Sequence, residues 1–144
     1  LYNTGNRSNI VFVTVCTQSR KKILDNSEVH DLLVATWKNS TQWIVGLYVI
    51  LPDHIHLFCS PATYESENVR DWITYWKAAS SLKWPDKELQ PIWQREAWDT
   101  QLRKGDSYSE KWQYVRNNPV RHGYVNTPED WPFQGELNKL QWHE

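Results

Sequence analysis

Residues 48–58 read Tyr-Val-Ile-Leu-Pro-Asp-His-Ile-His-Leu-Phe, and this stretch decides the fold that we predict. Its β-branched and apolar residues predict two strands, joined by a tight turn at Pro52-Asp53 into an antiparallel hairpin. Because side chains alternate along a strand, His54 and His56 point to the same face of the predicted sheet. Two imidazoles held side by side on a rigid strand form half of a metal site.

Apolar periodicity in the remaining chain predicts further strands and helices around this hairpin. The predicted elements are a strand at Ile10–Thr17, a helix from Asn26 or Ser27 to about Gln42, the hairpin strands Trp43–Leu51 and His54–Ser60, a helix at Glu67–Lys83, a strand at Pro91–Trp98, a polar connector at Asp99–Asp106 and a helix at Ser107–Asn118 that Pro119 ends. This order resembles the split β-α-β, or ferredoxin-like, arrangement with one added C-terminal helix. We therefore predict an α+β fold whose antiparallel sheet carries two helices on one face and leaves the other face open.

The length of 144 residues indicates a single domain, 1–144, with its core at about 10–125 and an irregular tail at 126–144 that Trp131 and Phe133 attach to the body. No apolar run approaches the length that spans a bilayer, and the first residues lack the pattern of a signal peptide. We therefore expect a cytoplasmic protein with no membrane partner. Cys16 and Cys59 each lie in an apolar run, which favours two small buried side chains over a disulfide.

The net charge of −1 does not by itself indicate a nucleic-acid binder. The basic residues are nevertheless grouped, in an acid-free segment at 1–24 and in a second cluster between Arg95 and Arg121. Such patches can follow a phosphate backbone even when the total charge is near zero, although charge alone favours an ordinary mixed surface. The ten tryptophans are either core residues or stacking platforms for unpaired bases, and composition does not separate these uses.

The second and third predicted helices each have one apolar side. In the second helix, the side predicted to face the core comprises Trp72, Tyr75, Trp76, Ala79 and Leu82. In the third helix, that side comprises Tyr108, Trp112 and Val115. Tyr114 lies about 120° away from them and shares its side with Asn118 and Lys111. A phenol and an amide therefore point together towards solvent, unless this is simply an amphipathic surface helix with an exposed tyrosine.

The histidine pair is a weak signal when taken alone, since a solvated hairpin can carry two incidental imidazoles. Neutral imidazole nitrogens suit Zn²⁺, Mn²⁺ or Ni²⁺ and, less typically, Mg²⁺. Two histidines and an amide oxygen leave open positions on an octahedral ion, and Lewis-acid catalysis on a phosphate needs such positions.

Two motifs together make the sequence recognisable. The first is Pro52-Asp-His-Ile-His-Leu57, and the second, about sixty residues later, is Tyr114-Val-Arg-Asn-Asn-Pro-Val-Arg-His-Gly-Tyr-Val125. This pair resembles the single-tyrosine HUH transposases, and among them most closely the REP-associated tyrosine transposases, relatives of insertion-sequence enzymes. The resemblance runs from about Ile10 to Val125, and its second motif is the more specific one.

The resemblance implies a mechanism for these residues. His54, His56 and Asn118 would hold Mg²⁺ or Mn²⁺ at a scissile phosphate of single-stranded DNA. Tyr114 would attack the phosphorus and leave a 5′-phosphotyrosine and a free 3′-hydroxyl. The implied substrate is a repetitive extragenic palindrome, which is an imperfect hairpin beside a short single strand. The predicted DNA contacts are Arg20, Lys21, Lys22, Arg95, Arg103, Lys104, Arg116 and Arg121.

Three other functions fit parts of the pattern. A mobile insertion-sequence transposase would use the same chemistry as an obligate dimer, whereas the REP-associated resemblance implies a monomer. A non-catalytic hairpin-binding module would not need His54, His56 and Tyr114. A two-histidine hydrolase would use a metal-bound water and leave Tyr114 without a role. The near-neutral charge departs from the basic character typical of such DNA enzymes.

Overall fold

The computed structural model describes residues 7–103 and 107–141. The helices and strands, in chain order, are β1 Arg7–Cys16, α1 Ser27–Lys38, β2 Trp43–Leu51, β3 His54–Pro61, α2 Val69–Leu82, β4 Trp98–Arg103, α3 Tyr108–Arg116, α4 Asn118–Arg121 and β5 Gln134–Glu136. None of the helices in the described residues has the length and apolar character needed to cross a bilayer.

The five strands form one antiparallel sheet in the order β4-β1-β3-β2-β5. The first four follow the ferredoxin-like order, so the predicted α+β class is confirmed. β2 and β3 form the predicted hairpin, in which Leu51 lies opposite His54 and Val49 lies opposite His56. β1 pairs along the other side of β3, with Thr14 opposite His56. The histidine strand is therefore the central strand of the sheet.

Each long helix begins at a side-chain cap that the sequence supplies. The Asn26 side chain accepts a hydrogen bond from the Val29 amide, and the Asn68 side chain accepts one from the Asp71 amide. Ser107 caps α3 in the same way, through the Glu110 amide. Such caps satisfy amide donors that have no partner inside the helix.

Both faces of the sheet are packed, which corrects the prediction of an open face. α1 and α2 cover one face, over a core that includes Val13, Leu57 and Trp76. α3 packs on part of the opposite face, where Tyr108 and Val115 join Phe58 in a second core. His54 and His56 lie on this second face, because they alternate with the buried Ile55 and Leu57 of the first. The tyrosine-bearing helix and the histidine pair therefore share one side of the sheet.

Two predicted elements on the β4 side were wrong. The predicted strand Pro91–Trp98 is absent, since residues 91–97 make only an isolated bridge between Thr17 and Trp93, and Trp98 already begins β4. Its apolar residues Ile92 and Trp93 are buried because they pack under α2, which produced the apparent alternation. The predicted connector instead contains the edge strand β4, whose polar residues are tolerated because one side of an edge strand meets solvent.

Four further boundaries and faces also differ from the prediction. α1 ends at Lys38 rather than near Gln42. In α2 Tyr75 and Leu82 are exposed, because Ile73 and Ser80 occupy the buried side with the two tryptophans. The tail supplies the short strand β5 beside β2, and the buried Trp131 indole donates to the Ile50 carbonyl at 2.9 Å. The two cysteines are buried and unpaired, as expected.

The third predicted helix is in fact two helices. α3 ends at Arg116, and α4 begins at Asn118 with Pro119 in its first turn. Proline is tolerated in a first turn because its missing amide would have no helical partner there. The predicted stop at Pro119 was therefore wrong, and the break between the two helices lies at Asn117.

Candidate active site

β3 and its neighbours orient both imidazoles. Thr14 lies opposite His56 on β1, and its Oγ1 is 2.9 Å from His56 Nδ1. The Asp53 carboxylate lies 2.8 Å from His54 Nδ1 and accepts a second hydrogen bond from Arg20 Nε at 3.1 Å. When each Nδ1 carries the proton and donates to these oxygens, each Nε2 keeps a free lone pair. Partners of this kind fix the tautomer and orientation of metal-binding histidines.

The electrostatics keep both imidazoles neutral. Burial, the neighbouring His54 and the charge of Arg121 together lower the pKa of His56 to about 3. Burial also lowers the pKa of His54, although the Asp53 carboxylate opposes this. Burial tends to raise the pKa of Asp53, but its hydrogen bonds with His54 and Arg20 outweigh that effect and lower it. Neutral imidazoles are the form that binds a metal ion.

Arg121 links the tyrosine helix to the histidine pair through its contacts with Tyr114 and Asn118 and through its charge. Its guanidinium carbon lies 4.1 Å from the centre of the Tyr114 ring, and its Nη2 donates to Asn118 Oδ1 at 2.6 Å. The same cation contributes to the lowered pKa of His56. Tyr114 is 67% exposed, so its phenol is accessible from solvent. Arg121 thus connects the predicted phenol and amide, and its charge acts on the histidine pair.

The charges of three cations act on His56, and we call Arg20, Lys111 and Arg121 the cationic rim. All three contribute to the lowered pKa of His56. The Lys111 ammonium lies 5.0 Å from the Phe12 ring centre, and Phe12 stacks on His56 at 5.3 Å between ring centres. Cations grouped near two uncharged imidazoles attract an anion such as a phosphate.

The other predicted DNA contacts lie in different surroundings. Lys21 donates to the carbonyls of Leu89 and Pro91, and Arg116 pairs with Glu129 at 3.0 Å. Lys22 and Arg103 are exposed, while Arg95 lies beside α2 in a groove on the far face of the sheet. Lys104 lies outside the described residues. Of the predicted basic residues that are described, Arg20 and Arg121 are those whose charges act on His56.

His122 and Lys111 were not predicted as site residues. The His122 ring centre lies 6.4 Å from that of His54, and His122 stacks on Tyr124, which stacks on the buried Trp131. Gly123, at φ 78°, makes the turn that returns the chain after α4, a conformation in which glycine is unstrained. The position of His122 directly after Arg121 in the motif was the available sequence signal.

The donor set fits a divalent ion that needs open positions. No group of three histidine, cysteine, aspartate or glutamate side chains suited to a metal occurs in residues 7–103 and 107–141. The ligand set that the resemblance predicts is His54, His56 and the Asn118 amide oxygen. The neutral imidazoles meet this requirement, and Asn118 Oδ1 has a second lone pair besides the one that Arg121 uses. Such a set leaves room for phosphate oxygens.

The sequence of this chain is similar to those of known proteins. No family model matches the chain. It is 27% identical over 124 residues to the REP-associated tyrosine transposase of Escherichia coli K12, covering 85% of this chain and 73% of that protein. It is 28% identical over 141 residues to a Haemophilus influenzae protein provisionally given the same name, covering 88% and 79%.

Solved structures share the fold. A REP-associated tyrosine transposase bound to a REP hairpin superposes with a TM-score of 0.71 at 22% identity, over 93% of this chain and 81% of that one. A protein of Deinococcus radiodurans described provisionally as a transposase superposes with a TM-score of 0.55 at 18% identity, over 81% of this chain and 95% of that one. The resemblance that the two motifs predicted is confirmed: the chain is a homologue of proteins named REP-associated tyrosine transposases.

Proposed function

We propose that this protein is a metal-dependent, site-specific endonuclease and strand transferase for single-stranded DNA, acting on REP-type palindromic hairpins. The relationship to named transposases supports a DNA nicking and joining enzyme. The observation that carries the finer proposal is the position of Arg121. It stacks on Tyr114, donates a hydrogen bond to Asn118 and acts electrostatically on His56, which supports a site that combines the phenol, the amide and the imidazoles.

In the proposed reaction, the Tyr114 oxygen attacks the phosphorus of one phosphodiester. A bond forms between that oxygen and phosphorus while the bond from phosphorus to the 3′-oxygen breaks. The phenol proton is lost to solvent, and the departing 3′-oxygen takes up a proton. The product is a 5′-phosphotyrosine, and attack on it by another 3′-hydroxyl reverses the step. Because the phosphodiester energy is retained, the joining step needs no nucleotide cofactor.

The residues around Tyr114 would orient the scissile phosphate and offset its negative charge. His54, His56 and Asn118 would hold Mg²⁺ or Mn²⁺, which when bound withdraws negative charge from a phosphate oxygen. Arg20, Lys111 and Arg121 attract the DNA backbone towards the same place. Thr14 and Asp53 keep the imidazole rings in one orientation.

We propose a monomer as the active form. What supports a single-chain site is that Arg121 contacts both Tyr114 and Asn118, and that its charge acts on His56 of the same chain. A dimeric transposase that exchanged tyrosine helices would need Tyr114 from the partner. Mixing His56→Ala with Tyr114→Phe protein distinguishes the two, since restored activity in the mixture would contradict a single-chain site.

The proposed chemistry is tested with a labelled hairpin oligonucleotide that carries a single-stranded flank. After incubation with Mn²⁺, a denaturing gel should show a covalent protein–DNA adduct. The adduct should be absent with Tyr114→Phe and unchanged with Tyr75→Phe, a matched exposed tyrosine on α2. Cleavage that persists in Tyr114→Phe would contradict the proposal and assign a hydrolase that uses metal-bound water.

A further inference from the structure

Trp98 differs from the other tryptophans of this chain. Trp142 lies outside the described residues, and of the remaining nine Trp98 alone is classed as exposed, at 55%. Seven of the others are buried, and Trp112 is partly covered. No ring contact joins Trp98 to another aromatic side chain of the described residues, whereas the buried tryptophans form a network that includes Trp37, Trp72 and Trp76. The fold therefore gains little from this indole.

The strand register places Trp98 on the face that carries the histidine pair. Trp98 lies opposite Thr14, and Thr14 lies opposite His56. Directly opposed residues of an antiparallel pair project from the same face. Two strand spacings separate Trp98 from His56, which is about 10 Å. The neighbouring Asp99 projects to the other face, where it pairs with Arg70 of α2.

This end of β4 is also the uncovered part of that face. Leu102, four residues further along the strand, is 2% exposed beneath the second core, whereas Thr100 and Trp98 are exposed. α3 thus covers the far end of the face and leaves the indole open on the face that carries the histidine pair. A DNA strand whose phosphate lies at the rim can extend across this open end.

We propose that Trp98 is a stacking platform for one unpaired base of the DNA strand, next to the phosphate that Tyr114 attacks. This rests on the proposed function and adds a base-binding position to it. An exposed indole offers its ring face to any base, so stacking there would position the strand with little sequence preference. The cations at the rim hold the backbone, and the indole holds a base, which together fix the phosphate in register with the phenol.

The test measures binding without cleavage, in metal-free buffer with EDTA. A DNA hairpin with a fluorescent label and a single-stranded tail is titrated with wild type, Trp98→Ala, Trp98→Phe and the control Tyr75→Ala. Tyr75 is an exposed ring on α2, over the opposite face of the sheet. We expect Trp98→Ala to bind about fivefold to a hundredfold more weakly, Trp98→Phe to lie in between, and Tyr75→Ala to match wild type.

Abasic sites placed one at a time along the tail identify the base. An abasic site at one position of the tail should weaken binding by wild type, because the base that stacks on Trp98 is missing. The same abasic site should not weaken binding by Trp98→Ala, which lacks the indole. Unchanged affinity in Trp98→Ala, or equal losses from every abasic site in both proteins, would overturn the proposal. This result is independent of the proposed chemistry, which fails separately if wild type forms no Tyr114 adduct.

Discussion

The Arg121 guanidinium lies 4.1 Å from the centre of the Tyr114 ring and donates a hydrogen bond to Asn118. Arg121 of helix α4 therefore holds the ring of the tyrosine that the proposed reaction uses. A cation over an exposed aromatic ring contributes about 0.5–1 kcal/mol, enough to favour one orientation of the ring. Arg121 also raises the local positive charge beside the histidine pair.

Arg121→Lys tests this relationship because it keeps the charge but loses the planar stacking group. We expect adduct formation to slow about tenfold to a hundredfold, with DNA affinity nearly unchanged, since small displacements of a nucleophile are costly. Single-turnover kinetics with a labelled hairpin measure the rate. The control is Arg116→Lys in the same motif, whose guanidinium pairs with Glu129. Equal rates for both variants would show that Arg121 does not position the tyrosine.

Thr14→Val tests the orientation of the His56 ring. The variant removes the oxygen that lies 2.9 Å from His56 Nδ1 and keeps a similar shape. Loss of such a partner weakens metal binding by about tenfold to a hundredfold. Calorimetric titration with Mn²⁺ measures the affinity, and Thr100→Val, an exposed threonine of β4, is the matched control. Mn²⁺ affinity that is equal in the two variants would contradict a metal site at His56.

The hairpin could be predicted from the sequence because residue type and the alternation of polar and apolar side chains indicate the same strands. Strand-forming residues flank Pro52-Asp53, and the alternation of His54, Ile55 and His56 assigns opposite faces to polar and apolar side chains. The starts of α1 and α3 were predicted to within one residue, and the structure selects Asn26 and Ser107 as the caps, since local hydrogen bonding decides where a helix begins. The side of α3 that packs on the sheet was also predicted correctly for Tyr108 and Val115.

The parts that the sequence did not predict depend on contacts between distant residues. β4 is polar and forms because β1 offers it a pairing edge. The segment before it looked like a strand because Ile92 and Trp93 are buried by α2. Arg121 was predicted only as a DNA contact, since its stacking on Tyr114 is a contact between side chains of two separate helices, α3 and α4.

Trp76→Ala tests the role of the buried tryptophans. Trp76 is fully buried and contacts the rings of Trp37, Trp72 and Trp93. Its truncation leaves a large cavity, so we expect unfolding to require about 3–5 kcal/mol less free energy. Urea denaturation measures this, and Trp98→Ala should change stability by about 0.5 kcal/mol or less. A loss of similar size in both variants would mean that Trp98 also supports the fold.

His30 gives a pH dependence to stability. Its Nε2 lies 2.7 Å from the Tyr48 hydroxyl, and burial lowers its pKa although Asp31 opposes this. The unfolded chain therefore takes up the proton more readily than the folded protein. Neutral His30 therefore adds to the free energy of unfolding. This stabilisation is complete above the ordinary pKa of 6.5 and is lost as the pH falls towards the lower pKa of the folded state.

The comparison is between wild type and His30→Gln, which does not titrate. Urea unfolding at about pH 7.5 and about pH 5.5, on either side of the ordinary histidine pKa, should show a larger loss of stability in wild type. The other histidines contribute equally to both proteins, so their effects cancel in the difference. Identical losses would mean that the pKa of His30 is the same in the folded and unfolded states.

The most direct test of the account is whether a metal ion held by the histidine pair lies beside the Tyr114 phenol. Protein labelled with 3-fluorotyrosine is titrated with substoichiometric Mn²⁺, and the fluorine resonance of Tyr114 is assigned by its loss in Tyr114→Phe. The account predicts that this resonance broadens while that of Tyr75 does not, and that His56→Ala abolishes the effect. A sharp Tyr114 resonance in protein shown by calorimetry to bind Mn²⁺ through His56 would contradict it.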